Sequence, residues 1–266
     1  MNITGNTIFF PGATSGIGLG LGLRFHQLGN TVIIGGRRTE LLNQINTDQP
    51  GIHTIEIDTT DPESITAAAA EVLAGHPNLN VLIPMAGIML PEDFHNPDYL
   101  EVAERTVATN LLGPIRLIAA FTPHLASQES STILTVSSGL AFVPLPIAIH
   151  AFSEALRVQP ADTTIQVIEL VPPAVQTALM NEENSPMAMP LDAFLDEVMG
   201  LLKHEPDAPD FRRERQISPL RHRQRFRTRP VPSHGDVAFT RRLFGIHRPR
   251  GRGWEVRVHH TASSMS

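Results

Sequence analysis

The stretch of sequence that decides the fold is residues 7–30, which read TIFFPGATSGIGLGLGLRFHQLGN. An apolar run leads directly into three spaced glycines, and Ile17, Leu21 and Phe25 then recur at helical spacing. A strand, a glycine-rich turn and a helix in this order present backbone N–H groups and the positive helix end to a phosphate. An ordinary strand-to-helix turn also has this pattern. Its place at the first strand, with alternating strands and helices after it, favours nucleotide binding.

Each glycine of the loop has a predicted task. Gly12 allows the tight turn, Gly16 the close approach of a pyrophosphate, and Gly18 close contact between helix and strand. The loop residues that we predict to bind the cofactor are Gly12, Thr14, Ser15, Gly16, Ile17 and Gly18.

Length and composition narrow the class of protein. The chain has 266 residues, enough for one α/β domain with a buried sheet. It has no cysteine, which excludes disulfides and thiolate metal sites, and we expect no metal. The N-terminal apolar stretch is short, broken by glycine and not preceded by basic residues. It therefore predicts neither a signal peptide nor a membrane span, and we expect a cytoplasmic protein.

Predicted strands and helices alternate up to about residue 204. The strands are short, rich in β-branched residues and almost wholly apolar, as in a parallel sheet covered on both faces. This order predicts an α/β fold with a doubly wound, mostly parallel sheet, that is, a Rossmann-type NAD(P)-binding domain over residues 1–205. The predicted strands are 6–10, 31–35, 53–57, 80–84, 132–137 and 164–171, and the predicted helices 17–28, 38–46, 62–74, 99–126, 147–158 and 190–203.

Residues 206–266 form a tail rich in arginine and proline. Residues 1–210 carry 24 acidic and 7 basic side chains, whereas residues 211–266 carry 14 arginines and 3 acids. Disorder is the interpretation that we favour, because this composition buries little apolar area. An electrostatic arm for nucleic acid and a change of reading frame in the gene are the alternatives.

Motifs spread along the chain resemble those of the short-chain dehydrogenases/reductases. Besides the glycine loop they follow the family's order over residues 5–203. Two of them, around Gly87 and Asn110, are similar to those of bacterial oxidoreductases named for D-alanine esterification of teichoic acids. By this resemblance Asp58 and Thr59 form the adenine-binding segment, Asn110 and Ser138 are catalytic, and Thr177 touches the nicotinamide carboxamide. Ala86 and Gly87 match the end of the family's Asn-Asn-Ala-Gly motif. Pro84 and Met85 replace the two asparagines of that motif.

The end of the second predicted strand bears on cofactor choice. An NAD site usually has an acid there that accepts from the ribose hydroxyls, but this chain has Arg37 and Arg38. Two guanidiniums suit a 2′-phosphate, which they can bind with paired hydrogen bonds. The alternative is that the two arginines are solvated residues at the start of the next helix and bind no ligand. We therefore predict NADP as cofactor, with NAD as the second choice.

The family's proton-transfer pair, a tyrosine and a lysine four residues later, is absent. The tyrosine normally lies thirteen residues after the serine, and here that position is Ala151. The single tyrosine, Tyr99, and the single lysine, Lys203, lie in other regions. By the resemblance about nine residues are missing before Ile149, including the first turns of the catalytic helix. His150 is a candidate substitute by its ordinary pKa, but a histidine on the helix surface is the interpretation that we favour.

The resemblance implies NADP(H)-linked interconversion of an alcohol and a carbonyl compound, impaired by the missing pair. A non-catalytic dinucleotide-binding protein is the first alternative, and a nucleic-acid-binding protein acting through its tail the second. The expected partner is a small carbonyl or alcohol substrate. A homo-oligomer is also expected, weakened because the shortened helix commonly builds the family's dimer interface. We expect no membrane partner.

Overall fold

The computed structural model describes residues 1–90, 95, 99–138, 148–158, 163–179 and 185–212. These residues contain a seven-stranded sheet, helices on both of its faces, and a π-helical turn, Ala108–Leu112. The strands are β1 (Thr7–Pro11), β2 (Thr31–Gly36), β3 (Ile52–Glu56), β4 (Val81–Leu82), β5 (Ser131–Val136), β6 (Ile165–Val171) and β7 (Asp210–Arg212). The helices are α1 (Gly16–Gln27), α2 (Thr39–Asp48), α3 (Pro62–Gly75), α4 (Tyr99–Val107), α5 (Gly113–Ala126), α6 (Ala148–Val158) and α7 (Leu191–His204).

The sheet has the order β3-β2-β1-β4-β5-β6-β7, and each pairing between these strands is parallel. The predicted doubly wound sheet is therefore confirmed. The strand order reverses between β1 and β4. In such sheets a ligand binds in the crevice outside the carboxyl ends of the strands at this switch point.

The continuous apolar strands are explained by burial on both faces of the sheet. In β1, Ile8 and Phe10 pack with Phe25 of α1 in one core cluster. Between them, Phe9 points to the opposite cluster, where it contacts Phe121 of α5 with ring centroids 5.4 Å apart. Successive side chains of a strand point to opposite faces, so both faces of this strand must be apolar.

Local signals fix the helix starts. Asp61 caps α3, because its Oδ1 accepts from the backbone N–H of Glu63 at 2.9 Å and Pro62 is the first helical residue. The predicted helix 99–126 is instead divided by the π turn into α4 and α5. Pro114 lies at the start of α5 and has no N–H to donate, so the bond from this position to the residue four before it is missing where the π turn meets α5.

The sheet continues past the predicted end of the domain. β7 pairs with β6 from Asp210 to Arg212, so the boundary at 205 is too early. A three-residue strand has no readable periodicity, which is why the sequence analysis missed it. Residues 213–266, most of the predicted tail, lie outside the described residues. In the part of the chain that the structure describes, no helix has the length and apolarity that a membrane crossing requires.

Candidate functional site

The glycine loop joins β1 to α1 at the switch point. Gly12 has φ +89°, and a Cβ placed there would lie 2.3 Å from the backbone nitrogen of Ala86. A Cβ on Gly18 would lie 2.8 Å from that of Ala13. Only glycine fits these two positions, as the tight turn and the close helix–strand contact require. The loop geometry that the sequence predicts is therefore present.

The start of α1 is suited to an anion. Ser15 precedes the helix without a side-chain cap on its first-turn N–H groups, and this turn has no acidic residue. Those N–H groups and the positive helix end can therefore meet a phosphate. Thr177 also lies at the start of α1, beside Gly16, whose φ is +57°. A Cβ placed on Gly16 would lie 3.6 Å from the methyl group of Thr177. Ile17, the next loop residue, packs against the core.

The two arginines after β2 have different surroundings. Arg38 donates from Nη2 to Thr14 Oγ1 at 2.7 Å and to Ser15 Oγ at 3.2 Å, so it is joined to the glycine loop. Arg37 is 65% exposed, and its Nη1 lies 3.8 Å from Asp58 Oδ2. One guanidinium therefore lies over the phosphate-binding loop, whereas the other lies between solvent and the adenine segment.

Asp58 follows β3, and Thr60 organises it. The backbone N–H and the hydroxyl of Thr60 donate to Asp58 Oδ1 at 2.9 and 2.7 Å. Burial raises the pKa of Asp58, but these two bonds and the charge of Arg37 outweigh it, so the pKa lies below its ordinary value. The carboxylate is therefore ionised at neutral pH. Thr59 is buried, and its carbonyl oxygen lies against the start of α5, 2.9 Å from a Cβ placed on Gly113.

Asn110 holds the chain that follows β4. Its Oδ1 accepts from the Ile88 N–H at 2.9 Å, and its Nδ2 donates to the Ile88 carbonyl at 2.7 Å. The side chain lies 3.7 Å from a Cβ placed on Gly87, directly beyond Ala86. The π turn that contains Asn110 thus fixes the wall of the cofactor crevice. This positioning role is observed, whereas the catalytic role of Asn110 stays a prediction.

Ser138 lies two residues after β5 and is half-buried. It follows the strand beside β4, so it lies at the same edge of the sheet as the glycine loop and Asn110. Residues 139–147, the region where the family resemblance implies missing residues, are outside the described residues. Tyr99 begins α4 and Lys203 lies in the last turn of α7, so these two residues do not replace the missing pair.

His150 is not the surface histidine that the sequence favours. Its side chain is only 20% exposed, and its Nδ1 lies 2.9 and 3.0 Å from the carboxylate oxygens of Glu169, which is fully buried in β6. Arg157 Nη2 lies 3.5 Å from the same carboxylate and also donates to the Pro209 carbonyl at 2.6 Å. The sequence analysis missed Glu169, although a single acid in a mostly apolar strand was a readable signal.

His150, Glu154 and Glu169 place three potential metal ligands within 4.8 Å of one another. Arg157, however, contacts both carboxylates. A guanidinium already neutralises the charge that a cation would need, so the arrangement is an ion-pair network that joins α6 to the sheet. A carboxylate of this kind is normally buried only when it is paired.

The family of the chain follows from its similarity to known proteins. The profile of the family described as short chain dehydrogenase matches residues 6–188. The chain is 41% identical over 189 residues to the uncharacterized oxidoreductase DltE of Bacillus subtilis (strain 168), which covers 67% of this chain and 75% of that protein. It is 28% identical over 193 residues to a fatty acyl-CoA reductase of Acinetobacter baylyi, which covers 67% and 65%.

Among solved structures, a short chain dehydrogenase of Burkholderia cenocepacia J2315 in complex with NADP is similar, with a TM-score of 0.68 and 26% identity. The match covers 80% of this chain and 90% of that one. The resemblance inferred from the glycine loop and the later motifs is thereby confirmed. The chain belongs to the short-chain dehydrogenase family of oxidoreductases.

Proposed function

We propose that this chain binds NADP(H) for alcohol–carbonyl interconversion and that its proton transfer is impaired. One observation carries the cofactor assignment: Arg38 is bonded to the phosphate-binding loop at the end of β2, where the sequence has two arginines in place of the usual acid. A 2′-phosphate would find a guanidinium there, whereas the ribose hydroxyls of NAD would lack the usual acceptor. NAD is the alternative cofactor.

The residues present fit such a cofactor. The first turn of α1 and the loop Gly12–Gly18 would receive the pyrophosphate, Arg37 and Arg38 the 2′-phosphate, and ionised Asp58 the adenine amino group. Thr177, beside Gly16, would receive the carboxamide. When bound, the cofactor supplies or accepts the hydride. The Burkholderia relative, which carries NADP, supports the same assignment.

The chemistry left to this chain is limited. Ser138, at the end of β5, can polarise a carbonyl by donating a hydrogen bond, and Asn110 keeps the crevice wall in place through Ile88. Neither side chain is a proton donor of suitable pKa. Loss of the tyrosine and lysine removes general acid–base catalysis, which typically contributes about 10²–10⁴-fold. A dinucleotide-binding protein without turnover is the second candidate function, and the absent pair is the observation that favours it.

The cofactor proposal is tested by titrating the purified chain with NADPH and NADH and following nicotinamide fluorescence. NADPH should bind more tightly, and Arg38→Ala should remove most of that preference, since a charge-assisted bond contributes about 1.5–3 kcal/mol. Arg105→Ala, which removes an exposed arginine of α4, is the matched control and should change nothing. Equal affinity for the two cofactors in the unaltered chain would contradict the proposal.

A further inference from the structure

Arg116 of α5 is bonded to the adenine loop, residues 58–61, which follows β3 and contains the adenine segment. Its Nη1 donates to the Thr60 carbonyl oxygen at 2.9 Å, across 56 positions of sequence, and the residue is half-buried. In the part of the chain that the structure describes, this guanidinium pairs with no carboxylate. Its bond to the loop is therefore not a by-product of an ion pair, and its role depends on what the Thr60 carbonyl holds in place.

Thr60 is the residue that orients Asp58. Its backbone N–H and its hydroxyl donate to Asp58 Oδ1 at 2.9 and 2.7 Å. The side chain of Asp58 is 36% exposed, so its other oxygen, Oδ2, can accept from a ligand. Two donors meet at one oxygen only while the backbone of Thr60 keeps its dihedral angles. The direction of the carboxylate therefore depends on how firmly that backbone is held.

The first turn of α5 restrains the peptide units on both sides of Thr60. The unit before it contains the Thr59 carbonyl, whose oxygen would lie 2.9 Å from a Cβ placed on Gly113. Peptide units are planar, so the Thr60 N–H turns with that carbonyl. The unit after it contains the Thr60 carbonyl, which accepts from Arg116. Gly113 and Arg116 are three residues apart, so one face of the helix makes both contacts.

The other bonds of the adenine loop leave this task to α5. The Asp58 N–H donates to Ser64 Oγ of α3 at 2.9 Å, which holds the start of the loop. The Asp61 N–H donates to the Asp58 carbonyl oxygen at 3.2 Å, which closes the turn within the loop. Neither bond reaches the Thr60 carbonyl oxygen. Arg116 therefore attaches the middle of the turn to a helix outside it.

We propose that Arg116 is a positioning residue for recognition of the adenine amino group. By holding the Thr60 carbonyl, it keeps both Thr60 donors on Asp58 Oδ1 and directs Oδ2 to the amino group. Arg116 acts through Asp58, because its bond is made to the loop. The inference rests on the proposed function, which takes Asp58 as the acceptor of the amino group. Loss of Arg116 should therefore reduce the selectivity for adenine.

The test compares NADPH with its reduced hypoxanthine analogue, in which a carbonyl oxygen replaces the purine amino group. The full chain is titrated with each dinucleotide, and nicotinamide fluorescence gives each Kd. Both carry the 2′-phosphate, so the contacts of Arg37 and Arg38 with that group do not enter the ratio of the two Kd values. A hydrogen bond from the amino group to a carboxylate corresponds to about tenfold in affinity. The unaltered chain should therefore bind NADPH about tenfold more tightly than the analogue.

Two variants of Arg116 locate the effect. Arg116→Met keeps the apolar stem and removes the donor. It should raise the Kd of NADPH about three- to fivefold, a part of the tenfold because Asp58 itself remains, and should leave the Kd of the analogue unchanged. Arg116→Lys retains a charged donor and should recover part of the selectivity. Arg105→Met, the matched control, removes an exposed arginine of α4 and should retain all of it.

A double variant tests whether Arg116 acts through Asp58. Asp58→Ala should remove the selectivity, and adding Arg116→Met to it should change the Kd of NADPH by less than about twofold. An equal effect of Arg116→Met with and without Asp58 would overturn the inference. So would an equal loss for both dinucleotides, which would show a merely structural role, or selectivity that Arg116→Met leaves intact.

The same titrations separate the inference from the proposed function. If the unaltered chain does not bind NADPH, the proposed function fails and the inference fails with it. If the unaltered chain binds NADPH and the analogue equally well, the cofactor assignment stands and only the inference is overturned.

Discussion

Arg157→Met tests whether the buried carboxylate of Glu169 depends on its guanidinium partner. The change keeps the apolar stem of the side chain and removes its charge. Glu169 has no exposed surface, and Arg157 is only 16% exposed, so solvent cannot replace the lost partner. Breaking a buried pair on one side costs about 3–5 kcal/mol. We expect the low end of that range, about 3 kcal/mol, because His150 stays bound to the carboxylate.

The free energy of unfolding is measured by urea denaturation followed by circular dichroism. A loss of about 3 kcal/mol corresponds to roughly 6–12 °C in Tm for a domain of this size. Glu154→Gln is the matched control: Glu154 also contacts Arg157, but it is 58% exposed, and surface pairs contribute about 0–1 kcal/mol. It should therefore have little effect.

A double variant separates the buried charge from simple packing. Combined with Arg157→Met, Glu169→Gln removes the unpaired charge but keeps the size of the side chain. The double variant should recover at least about 1 kcal/mol of the loss, a coupling within the range known for residues in contact. The reasoning is refuted if Arg157→Met costs no more than Glu154→Gln, or if the double variant is as unstable as the single one.

Three further predictions follow from the site, the surface and the tail. Reductase turnover against aldehydes and ketones should be absent or lower by orders of magnitude than in a relative. Inserting a relative's nine-residue segment before Ile149 should restore this turnover. Robust turnover by the unaltered chain would contradict the prediction. Burial, and secondarily the charge of His53, lowers the pKa of His76, so the unfolded chain binds more protons than the folded one. Stability should therefore fall as pH drops through about 6.5, and His76→Gln should weaken that dependence in urea titrations at several pH values. Trypsin should rapidly remove residues beyond about 212, which hold most of the 14 arginines, and a resistant tail would refute the disorder interpretation.

The sequence predicted most of the sheet because burial on both faces leaves a continuous apolar signal. Strands β2 and β5 lie within one residue of their predicted bounds at both ends. The break between α4 and α5 was missed because apolar periodicity continues across it. Only the missing N–H of Pro114 and the contact of Gly113 with the Thr59 carbonyl indicate it. β7 was missed because three residues are too few for a pattern.

The candidate site was predictable where backbone geometry decides it and less so where side chains pair over long sequence distances. Gly12 and Gly18 need no side chain, and their positions follow from the motif. The partners of Arg37 and Arg38 depend on which loops the sheet order brings together. Because Arg37 lies near Asp58, a change at Asp58 would alter the environment of that guanidinium as well as the adenine site. The pairing of His150 with Glu169 is likewise a tertiary contact.

The contacts between α6 and the sheet lie apart from the segment that carries the catalytic residues in the family, so the fold does not depend on that segment. The contacts that hold the described helix to the sheet all come from its retained part: Ser153 Oγ lies 2.8 Å from Thr135 Oγ1, His150 reaches Glu169, and Arg157 reaches Glu169 and Pro209. By the family resemblance the tyrosine and lysine belonged to the turns before them. Catalysis and attachment thus occupy successive segments of one helix. A deletion confined to the first segment would spare these contacts, so the fold would persist as a scaffold for a role that needs binding alone.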